Sequence, residues 1–213
     1  MEILLASSNP HKIAEITAVW NGLVGKRTFE LIGPDALDRS IRAPIEDQPT
    51  FEANALLKAR HYAHAANMVC LADDSGLEVD VLDGRPGVKS ARFAGITGPR
   101  DVVDPANNRL LIEQLGELTP HKRSARFVCA MALVYCDHRS PVIVRGTLEG
   151  RILTCAEAGP QATGCGENGF GYDPIFLVPH LRKTTAELSA QEKNAISHRG
   201  QAARLMWLKL SAE

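Results

Sequence analysis

The chain has 213 residues, of which 45% are hydrophobic and 23% are charged, and its formal net charge is −1. It is long enough to bury a substantial core, and its composition is that of an ordinary globular protein. The near-zero net charge excludes an overall field that would attract nucleic acid or an anionic membrane, so any anion must be recognised locally. No apolar run approaches the roughly 20 residues that span a bilayer, and the first residues lack the pattern of a secretion signal.

Cysteine usage indicates a reducing compartment. The cysteines are odd in number, show no close spacing typical of metal ligands, and lie partly in apolar, strand-like runs. We therefore expect mostly buried, reduced thiols without a zinc site or a disulfide, in a cytoplasmic protein. The five positions are Cys70, Cys129, Cys136, Cys155 and Cys165.

The first predicted elements are a short buried strand at 2–6 and a helix that begins at about Pro10. Asn9 is a favourable N-cap, Pro10 suits the first helical position, and apolar residues then recur at helical spacing. The free N–H groups at this helix start favour an anion such as phosphate. Lys12 lies in the first turn, where the helix dipole disfavours a cation. Its placement indicates a bound anion, and the alternative is a solvated lysine.

The next segment is less regular, with a possible strand at 29–32 and a possible extended piece at 39–45. An acidic pair that includes Glu46 follows in a loop between two prolines. Thr50 is then predicted to cap a helix with an apolar stripe. A different face of this helix carries Asn54, Lys58 and His61. That face can meet the acidic motif that follows, whereas each of its residues taken singly is typical of a solvated surface.

The most informative stretch is Asp73-Asp74-Ser75-Gly76, which follows an apolar strand predicted at 68–72. Two adjacent carboxylates at a strand end repel each other and lose hydration, a cost that a divalent cation or a shared proton offsets. Ser75 and Gly76 predict a turn. The stretch therefore indicates a metal-and-water site at the edge between a strand and a loop. The alternative is a solvated turn that happens to be acidic.

The remainder of the chain alternates between strand and helix signals. Residues 77–82 alternate like a half-exposed strand, and Asp104-Pro105 is predicted to start a helix that Gly116 ends. From about residue 124 the chain is β-rich and predicts an antiparallel meander. The later predicted elements are strands at 125–136, at 141–148, from Gly150 and at 175–178, and helices capped by Ser189 and Ser197.

Three groups of residues need a common explanation. The acidic group is Glu46, Asp73 and Asp74, and a glycine-framed aromatic turn lies at 170–173. The cationic group lies near predicted helix starts and comprises Lys12, Lys58, Lys193, His198 and Arg199. Carboxylates that hold Mg²⁺, cations that neutralise phosphates and a ring that stacks on a base together indicate a nucleoside triphosphate site. The P-loop signature is absent from the sequence.

The whole sequence resembles the noncanonical purine NTP pyrophosphatases, the family that hydrolyses ITP and XTP. Six stretches carry the resemblance and keep the family's order, which makes the match specific. They are Ser8-Asn9-Pro10-His11-Lys12; Phe51-Glu52-Ala53-Asn54-Ala55 with Lys58-Ala59-Arg60; Ala72-Asp73-Asp74-Ser75-Gly76-Leu77; Pro86-Gly87 with Ser90-Ala91-Arg92; Gly169-Phe170-Gly171-Tyr172-Asp173-Pro174; and Ser197-His198-Arg199-Gly200.

The resemblance implies an α/β fold with an elongated mixed β-sheet flanked by helices, two lobes and a central cleft. The chain 1–213 would be a single ITPase-like domain whose second lobe spans approximately 124–180. The implied reaction is Mg²⁺-dependent cleavage between the α- and β-phosphates of ITP, dITP or XTP, which gives the nucleoside monophosphate and pyrophosphate. The implied partners are a small-molecule purine nucleoside triphosphate and a second copy of the chain in a homodimer, with no nucleic acid and no membrane.

The resemblance also implies residue roles. Asp74 matches the general base and a metal carboxylate, Glu46 matches a second metal carboxylate, and Asp73 supports them. The triphosphate would be bound by Ser7, Ser8, Asn9, Pro10, His11, Lys12, Lys58 and Lys193, with Ser75 nearby. The base pocket would comprise Phe170, Gly171, Tyr172, Asp173, His198 and Arg199. Donors from Arg199 and from backbone N–H groups would favour a 6-oxo purine, because an adenine amino group would leave them unpaired.

Two departures from the family pattern concern the substrate. Ser8 stands where many relatives have glycine, and residues 159–166 form a longer stretch than in compact members, just before the base pocket. Two other functions remain as alternatives. One is a related house-cleaning pyrophosphatase that acts on other modified nucleotides. The other is a module that binds nucleotides or RNA without cleaving them, although the neutral charge disfavours RNA.

Overall fold

The computed structural model describes residues 1–23, 29–38, 40–159 and 161–212. Helices and strands alternate along these ranges. The strands are β1 (Glu2–Leu5), β2 (Glu30–Ile32), β3 (Cys70–Val79), β4 (Pro86–Gly87), β5 (Ser124–Val134), β6 (Val142–Ile152), β7 (Phe176–Val178) and β8 (Lys183–Thr184). The helices are α1 (Pro10–Asn21), α2 (Phe51–Ala66), α3 (Arg100–Leu115), α4 (Cys155–Ala158), α5 (Ala190–Ile196) and α6 (His198–Ser211).

The strands form one sheet in the order β2-β1-β3-β5-β6-β7-β8, with β4 paired to β3. β1 is parallel to β2 and to β3, whereas β7 is antiparallel to β6 and to β8. Parallel neighbours require a crossover between them, and α1 and α2 lie in the connections that follow β1 and β2. The predicted α/β class with a mixed sheet is confirmed.

The chain divides into two compact units. Unit 1 comprises Met1–Ser75, Cys129–Thr147 and the chain from Ser197 onward, and unit 2 comprises Gly76–Val128 and Leu148–Ile196. Each of the long strands β3, β5 and β6 therefore has residues in both units. The second lobe predicted at approximately 124–180 overlaps unit 2 but does not coincide with it, because the division falls within strands and not in the loops between them.

The core of unit 1 consists of strand residues covered by α1 and α6. Leu5, Leu71 and Met131 are buried together with Trp20 of α1 and Met206 of α6. The Trp20 indole N–H donates to the carbonyl oxygen of Ala203 at 3.0 Å, so its polar edge is satisfied within the core. This packing fixes the positions of the two helix starts, at residues 10 and 198.

The core of unit 2 contains aromatic and aliphatic residues of β5, β6 and β7. Phe127 and Phe176 pack with their ring centroids 4.3 Å apart. Arg123 belongs to the same unit and is also fully buried. Its guanidinium donates to the carbonyls of Leu115 and Gly116 at 3.3 and 3.1 Å, at the C-terminal end of α3. Burial lowers the pKa of Arg123, and the carbonyls at the end of the helix favour its charge.

The predicted helix starts are confirmed by their caps. The side chain of Asn9 accepts a hydrogen bond from His11 N at 3.1 Å, and that of Thr50 accepts from Ala53 N at 3.2 Å. Ser197 Oγ accepts from Gly200 N at 3.0 Å at the start of α6. Ser189 and Glu192 form the predicted capping box, with Ser189 N donating to Glu192 Oε2 at 2.8 Å.

The predicted turn at Ser75 and Gly76 is wrong, because β3 runs unbroken from Cys70 to Val79. Gly76 has no positive φ, and Leu77 beyond it is buried, with its N–H donating to Ser90 Oγ at 2.8 Å. Pairing and burial along the strand outweigh the local turn preference. The acidic pair therefore lies inside a strand and not at its end.

Three smaller predictions are also wrong. β6 is one strand, although separate strands were predicted at 141–148 and from Gly150. α3 begins at Arg100 and not at Asp104, so Pro105 lies in the second turn of the helix and removes one backbone hydrogen bond. Residues 40–45 contain no strand, and residue 39 of the predicted extended piece lies outside the described ranges.

Gly150 lies within β6 at a position where a side chain has no space. A Cβ atom at this position would lie 2.6 Å from the ring of Phe176 and would also meet the Leu177 carbonyl. Gly150→Ala is therefore expected to lower the free energy of unfolding by about 1–3 kcal/mol through overpacking. Urea denaturation measures the effect. Gly33→Ala is the matched control, since nothing lies within 4 Å of its Cβ position and its φ is −82°. Equal unfolding midpoints for the two variants would contradict the argument.

All five cysteines are free, as expected from the sequence. Cys70 and Cys129 are buried, and burial raises the pKa of each thiol to about 12. Cys136 and Cys165 are exposed, in contrast to the expectation that the thiols are mostly buried. Among the described residues, we find no helix that combines the length and the apolar character needed to cross a bilayer.

Candidate functional site

The acidic pair lies on β3 with its two side chains on opposite faces of the sheet, because consecutive residues of a strand alternate in direction. Asp73 is 0% exposed and Asp74 is 9% exposed. Their contacts confirm the alternation, since Asp73 meets residues of α1 and α6 whereas Asp74 meets α2. The two carboxylates therefore have different environments and do not share a proton.

Asp73 is a buried anion between two cations. Its Oδ2 lies 2.9 Å from Lys12 Nζ and 3.6 Å from Arg199 Nε. Burial alone would raise the pKa of Asp73, but the charges of Lys12 and Arg199 outweigh burial and hold the pKa well below its usual range. The sequence predicted that a divalent cation or a shared proton would offset the charge of the acidic pair. At Asp73 the charge is offset by two side chains of the protein, Lys12 and Arg199.

Arg199, predicted to lie in the base pocket, belongs to this buried cluster of unit 1. Its Nη1 pairs with Glu15, and its Nη2 donates to Ser75 Oγ at 2.8 Å. Burial opposes its charge, but Glu15 and Asp73 more than compensate and raise the pKa of Arg199. Glu15 is a residue that the sequence reasoning missed. The signal for it was its position on α1 three residues after Lys12, which places both on one face.

Asp74 has polar support and no cation bound directly to it among the contacts described. Its Oδ2 accepts from Asn54 Nδ2 at 2.9 Å, and its Oδ1 accepts from Ser75 N at 2.9 Å. Asn54 is itself oriented by Gln48 N, which donates to its Oδ1 at 2.9 Å. Burial raises the pKa of Asp74 even though the Asn54 hydrogen bond acts in the opposite direction. This carboxylate is therefore poised to accept a proton or a positive charge.

Lys58 and Glu46 complete the α2 side of the cluster. Lys58 Nζ donates to Glu46 Oε1 at 3.0 Å. Burial would lower the pKa of Lys58, but the charges of Asp73 and Glu46 outweigh it and raise the pKa. The predicted face of α2 thus brings Asn54 and Lys58 to the acidic pair. His61, predicted on the same face, is exposed, and its Nε2 lies 2.8 Å from the Arg42 carbonyl oxygen.

The predicted phosphate-binding loop precedes α1 on the Asp73 side. Asn9 N donates to Ser7 Oγ at 3.2 Å, so the loop is ordered by its own side chains. Ser8, Pro10 and His11 are exposed. The start of a 12-residue helix therefore faces solvent next to Lys12, which is a geometry that suits an anion.

Hard oxygen donors for a metal ion are present on the α2 side, namely the carboxylates of Glu46 and Asp74. Within the described ranges, no cluster of three or more His, Cys, Asp or Glu side chains is arranged to hold a metal ion alone. Magnesium is usually held by one or two carboxylates, with substrate phosphates and water as its other ligands. The donor set therefore fits Mg²⁺ and does not fit a metal that requires a complete protein cage.

The second cluster lies in unit 2 around the buried carboxylate of Asp173. Its Oδ2 accepts from Lys193 Nζ at 2.6 Å and from Phe170 N at 2.8 Å. Thr185 Oγ1 donates to its Oδ1 at 2.8 Å. Gly169 has φ +79°, and a Cβ atom there would collide with the Asp173 carboxylate. Lys193, predicted to hold triphosphate, is thus a buried partner of Asp173.

Residues of α3 that the sequence reasoning missed hold the aromatic turn in place. Asp104 Oδ2 accepts from Gly171 N at 2.9 Å, and Asn108 Nδ2 donates to Gly171 O at 3.1 Å. The signal for this pair was its i, i+4 spacing on a helix. Tyr172 is buried and donates to the Ser90 carbonyl at 2.9 Å, and burial raises the pKa of its hydroxyl. Tyr172 therefore acts as an anchor of the turn.

The Phe170 ring is half-buried and lies beside two cations. Arg100 Cζ is 5.0 Å from the ring centroid, and Lys193 Nζ is 5.3 Å from it. The longer stretch before this turn is fastened to the same unit, since Cys165 N donates to Pro174 O at 2.8 Å and Thr184 Oγ1 donates to Cys165 O at 2.7 Å. Residue 160 of that stretch lies outside the described ranges.

The predicted site residues thus form two clusters, each within one unit. Unit 1 contains the acidic pair, Glu46, Lys58, the loop at 7–12 and the start of α6 with His198 and Arg199. Unit 2 contains the turn at 170–173 and Lys193. His198 is buried. The roles that the resemblance implies for these residues remain predictions.

Comparison with known proteins agrees with the predicted resemblance. The profile of the Ham1 family matches residues 3–208. A dITP/XTP pyrophosphatase of Bacillus anthracis is 50% identical over 211 residues, which cover 98% of this chain and 96% of that protein. One from an Exiguobacterium strain is 47% identical over 213 residues, which cover 100% of this chain and 96% of that protein.

Solved structures give the same result. The Staphylococcus aureus Ham1 protein has a TM-score of 0.79 and 39% identity over 100% of this chain and 99% of its own. A HAM1 protein from Coxiella burnetii has a TM-score of 0.83 and 38% identity, with complete coverage of both chains. The match extends over the whole chain in sequence and in fold, and the chain therefore belongs to the Ham1 family.

Proposed function

We propose that this chain is a Mg²⁺-dependent nucleoside triphosphate pyrophosphohydrolase that acts on ITP, dITP and XTP and releases the nucleoside monophosphate and pyrophosphate. The observation that carries the proposal is the different state of the two adjacent carboxylates. Asp73 is neutralised by Lys12 and Arg199, whereas Asp74 keeps a carboxylate with a raised pKa beside Lys58 and Glu46. Relatives with 47–50% identity are named dITP/XTP pyrophosphatases.

In this proposal Asp74 accepts a proton from the attacking water. Its oxygens are held by Asn54 and Ser75 N, so its orientation is fixed before the substrate binds. The carboxylates of Glu46 and Asp74 would hold Mg²⁺, which when bound lowers the pKa of water and neutralises phosphate charge. The raised pKa of Asp74 supports this role, because its described direct partners are neutral and a bound cation would stabilise its ionised form.

The triphosphate is proposed to bind to the cationic residues of the unit 1 cluster and to the start of α1. The exposed start of α1 offers backbone N–H groups at residues 7–12. Lys12 and Lys58 provide the charge that stabilises the pyrophosphate leaving group. Lys12 already pairs with Asp73, so its ammonium is fixed in position and does not need to be ordered by the substrate.

The base is proposed to stack on Phe170, in the turn that Asp173, Asp104 and Asn108 hold in place. In this proposal Lys193 positions the Asp173 carboxylate and does not contact the triphosphate. Arg199 is occupied by Glu15 and Ser75, which favours a role in holding Asp73. The role in the base pocket that the resemblance implies for His198 remains a prediction.

The test is pyrophosphate release from ITP, XTP, GTP and dUTP, with and without Mg²⁺. The proposal expects Mg²⁺-dependent release from ITP and XTP well above that from GTP. Faster release from dUTP would favour the related pyrophosphatase for other modified nucleotides. Binding of ITP without any product would favour the non-catalytic module.

We also propose that the chain forms a homodimer and is located in the cytoplasm. Leu205 and Leu208 are exposed and lie three residues apart on α6, which supports a surface for a second copy. The five free cysteines support a reducing compartment. Sedimentation equilibrium tests the first point, because a particle that stays at the chain mass of 23.1 kDa contradicts a dimer.

A further inference from the structure

The two cations beside Phe170 differ in exposure and in how closely each is paired with a carboxylate. Lys193 is buried, and Asp173 binds its ammonium at 2.6 Å. The side chain of Arg100 is 49% exposed, and its guanidinium lies 3.5 Å from Asp104, a looser pair. Arg100 is therefore the cation at this ring that is open to solvent and to a ligand.

α3 fixes Arg100 and the aromatic turn together. Asp104 Oδ2 lies 3.5 Å from Arg100 Nη1 and accepts the Gly171 N–H at 2.9 Å. Asn108, one further turn along, donates to the carbonyl of Gly171 at 3.1 Å. Residues at i, i+4 and i+8 of one helix therefore set the position of the guanidinium relative to Phe170.

We propose that Arg100 is a specificity-determining residue that favours a negatively charged purine base over a neutral one. The inference rests on the proposed function, in which Phe170 is the surface on which the base stacks. The xanthine ring, with its second oxo group, loses a ring proton near neutral pH, whereas the hypoxanthine ring stays neutral there. A guanidinium beside the stacking ring attracts the xanthine anion and gains much less from neutral hypoxanthine. Within the 6-oxo purine nucleotides, Arg100 therefore selects XTP.

The test compares kcat/KM for XTP and for ITP in the wild type and in three variants. Arg100→Gln removes the charge and Arg100→Lys keeps it. Arg109→Gln is the matched control, because it removes the same charge from an exposed position on the same helix. The ratio of XTP to ITP is expected to fall by about two- to fivefold in Arg100→Gln, the size typical of an exposed charge contact. It is expected to stay near the wild-type ratio in the other two.

The assay is repeated at an acidic pH at which xanthine is protonated, and there the difference between wild type and Arg100→Gln should disappear. Equal losses for both nucleotides at neutral pH, or a difference that persists when the base is neutral, would overturn the inference. A wild-type protein that hydrolyses neither nucleotide refutes the proposed function instead. Thermal unfolding of each variant tests whether the fold is retained.

Discussion

Asp74→Asn is expected to abolish turnover and to leave the fold intact. The amide cannot accept a proton and is a poor metal ligand, and a general base contributes about 10²- to 10⁴-fold to a rate. We therefore expect kcat for ITP to fall by about 10³-fold or more. Stability should change little, because two effects offset each other. The neutral amide removes the cost of burying a charge, which is the cost that raises the pKa of Asp74, but Asn54 loses its carboxylate acceptor. Steady-state kinetics and urea unfolding measure the two effects.

Asp83→Asn is the control for Asp74→Asn, since Asp83 is exposed and its φ of +54° suits asparagine as well as aspartate. It should keep wild-type kcat. If Asp74→Asn kept turnover within a few-fold of wild type, Asp74 would not be the base. A variant that lost activity together with its cooperative unfolding would point to a structural role, and Asp74 would again not be the base.

Asp73→Asn is expected to lower the free energy of unfolding by about 3–5 kcal/mol, the cost of removing the charged partner from a buried ion pair. Both Lys12 and Arg199 depend on this carboxylate, and Arg199 is almost fully buried. Asp74→Asn, one residue along the same strand, serves as the comparison. Similar unfolding midpoints for the two variants would show that the two carboxylates are equivalent, in contradiction to their contacts.

The same two residues predict opposite contributions to the pH dependence of stability. The pKa of Asp73 is lowered in the folded state. The stability that its ionised carboxylate contributes is therefore fully present above the unfolded-state pKa of about 3.9. That stability is lost as the pH falls towards the pKa of the folded state. The pKa of Asp74 is raised, so its ionised form disfavours folding and its contribution decreases as the pH rises through the folded value. Between neutral pH and strong acid, the free energy of unfolding should therefore change less with pH in Asp73→Asn than in wild type. Urea denaturation at a series of pH values measures this difference.

Local rules in the sequence predicted the helix starts at Pro10, Phe51 and His198 because the cap residues and the first turns that they serve are neighbours in the chain. They also predicted that Asn54 and Lys58 share a face of α2. Where a stronger long-range preference acts, the same rules failed. Ser75-Gly76 is a turn by composition, but burial on both sides keeps it inside β3.

The candidate site shows the same division. The sequence by itself determined which residue types are present and which of them are adjacent, and through the family pattern it identified the acidic pair and the aromatic turn. Only the tertiary structure decided that Asp73 and Asp74 lie on opposite faces of the sheet. It also decided that Glu15 pairs with Arg199, that Asp104 and Asn108 bind the backbone of Gly171, and that Thr185 binds Asp173. The physical reason is that charge compensation and hydrogen bonding depend on distances between residues remote in the chain, such as the 2.9 Å from Lys12 to Asp73. No local pattern encodes these distances.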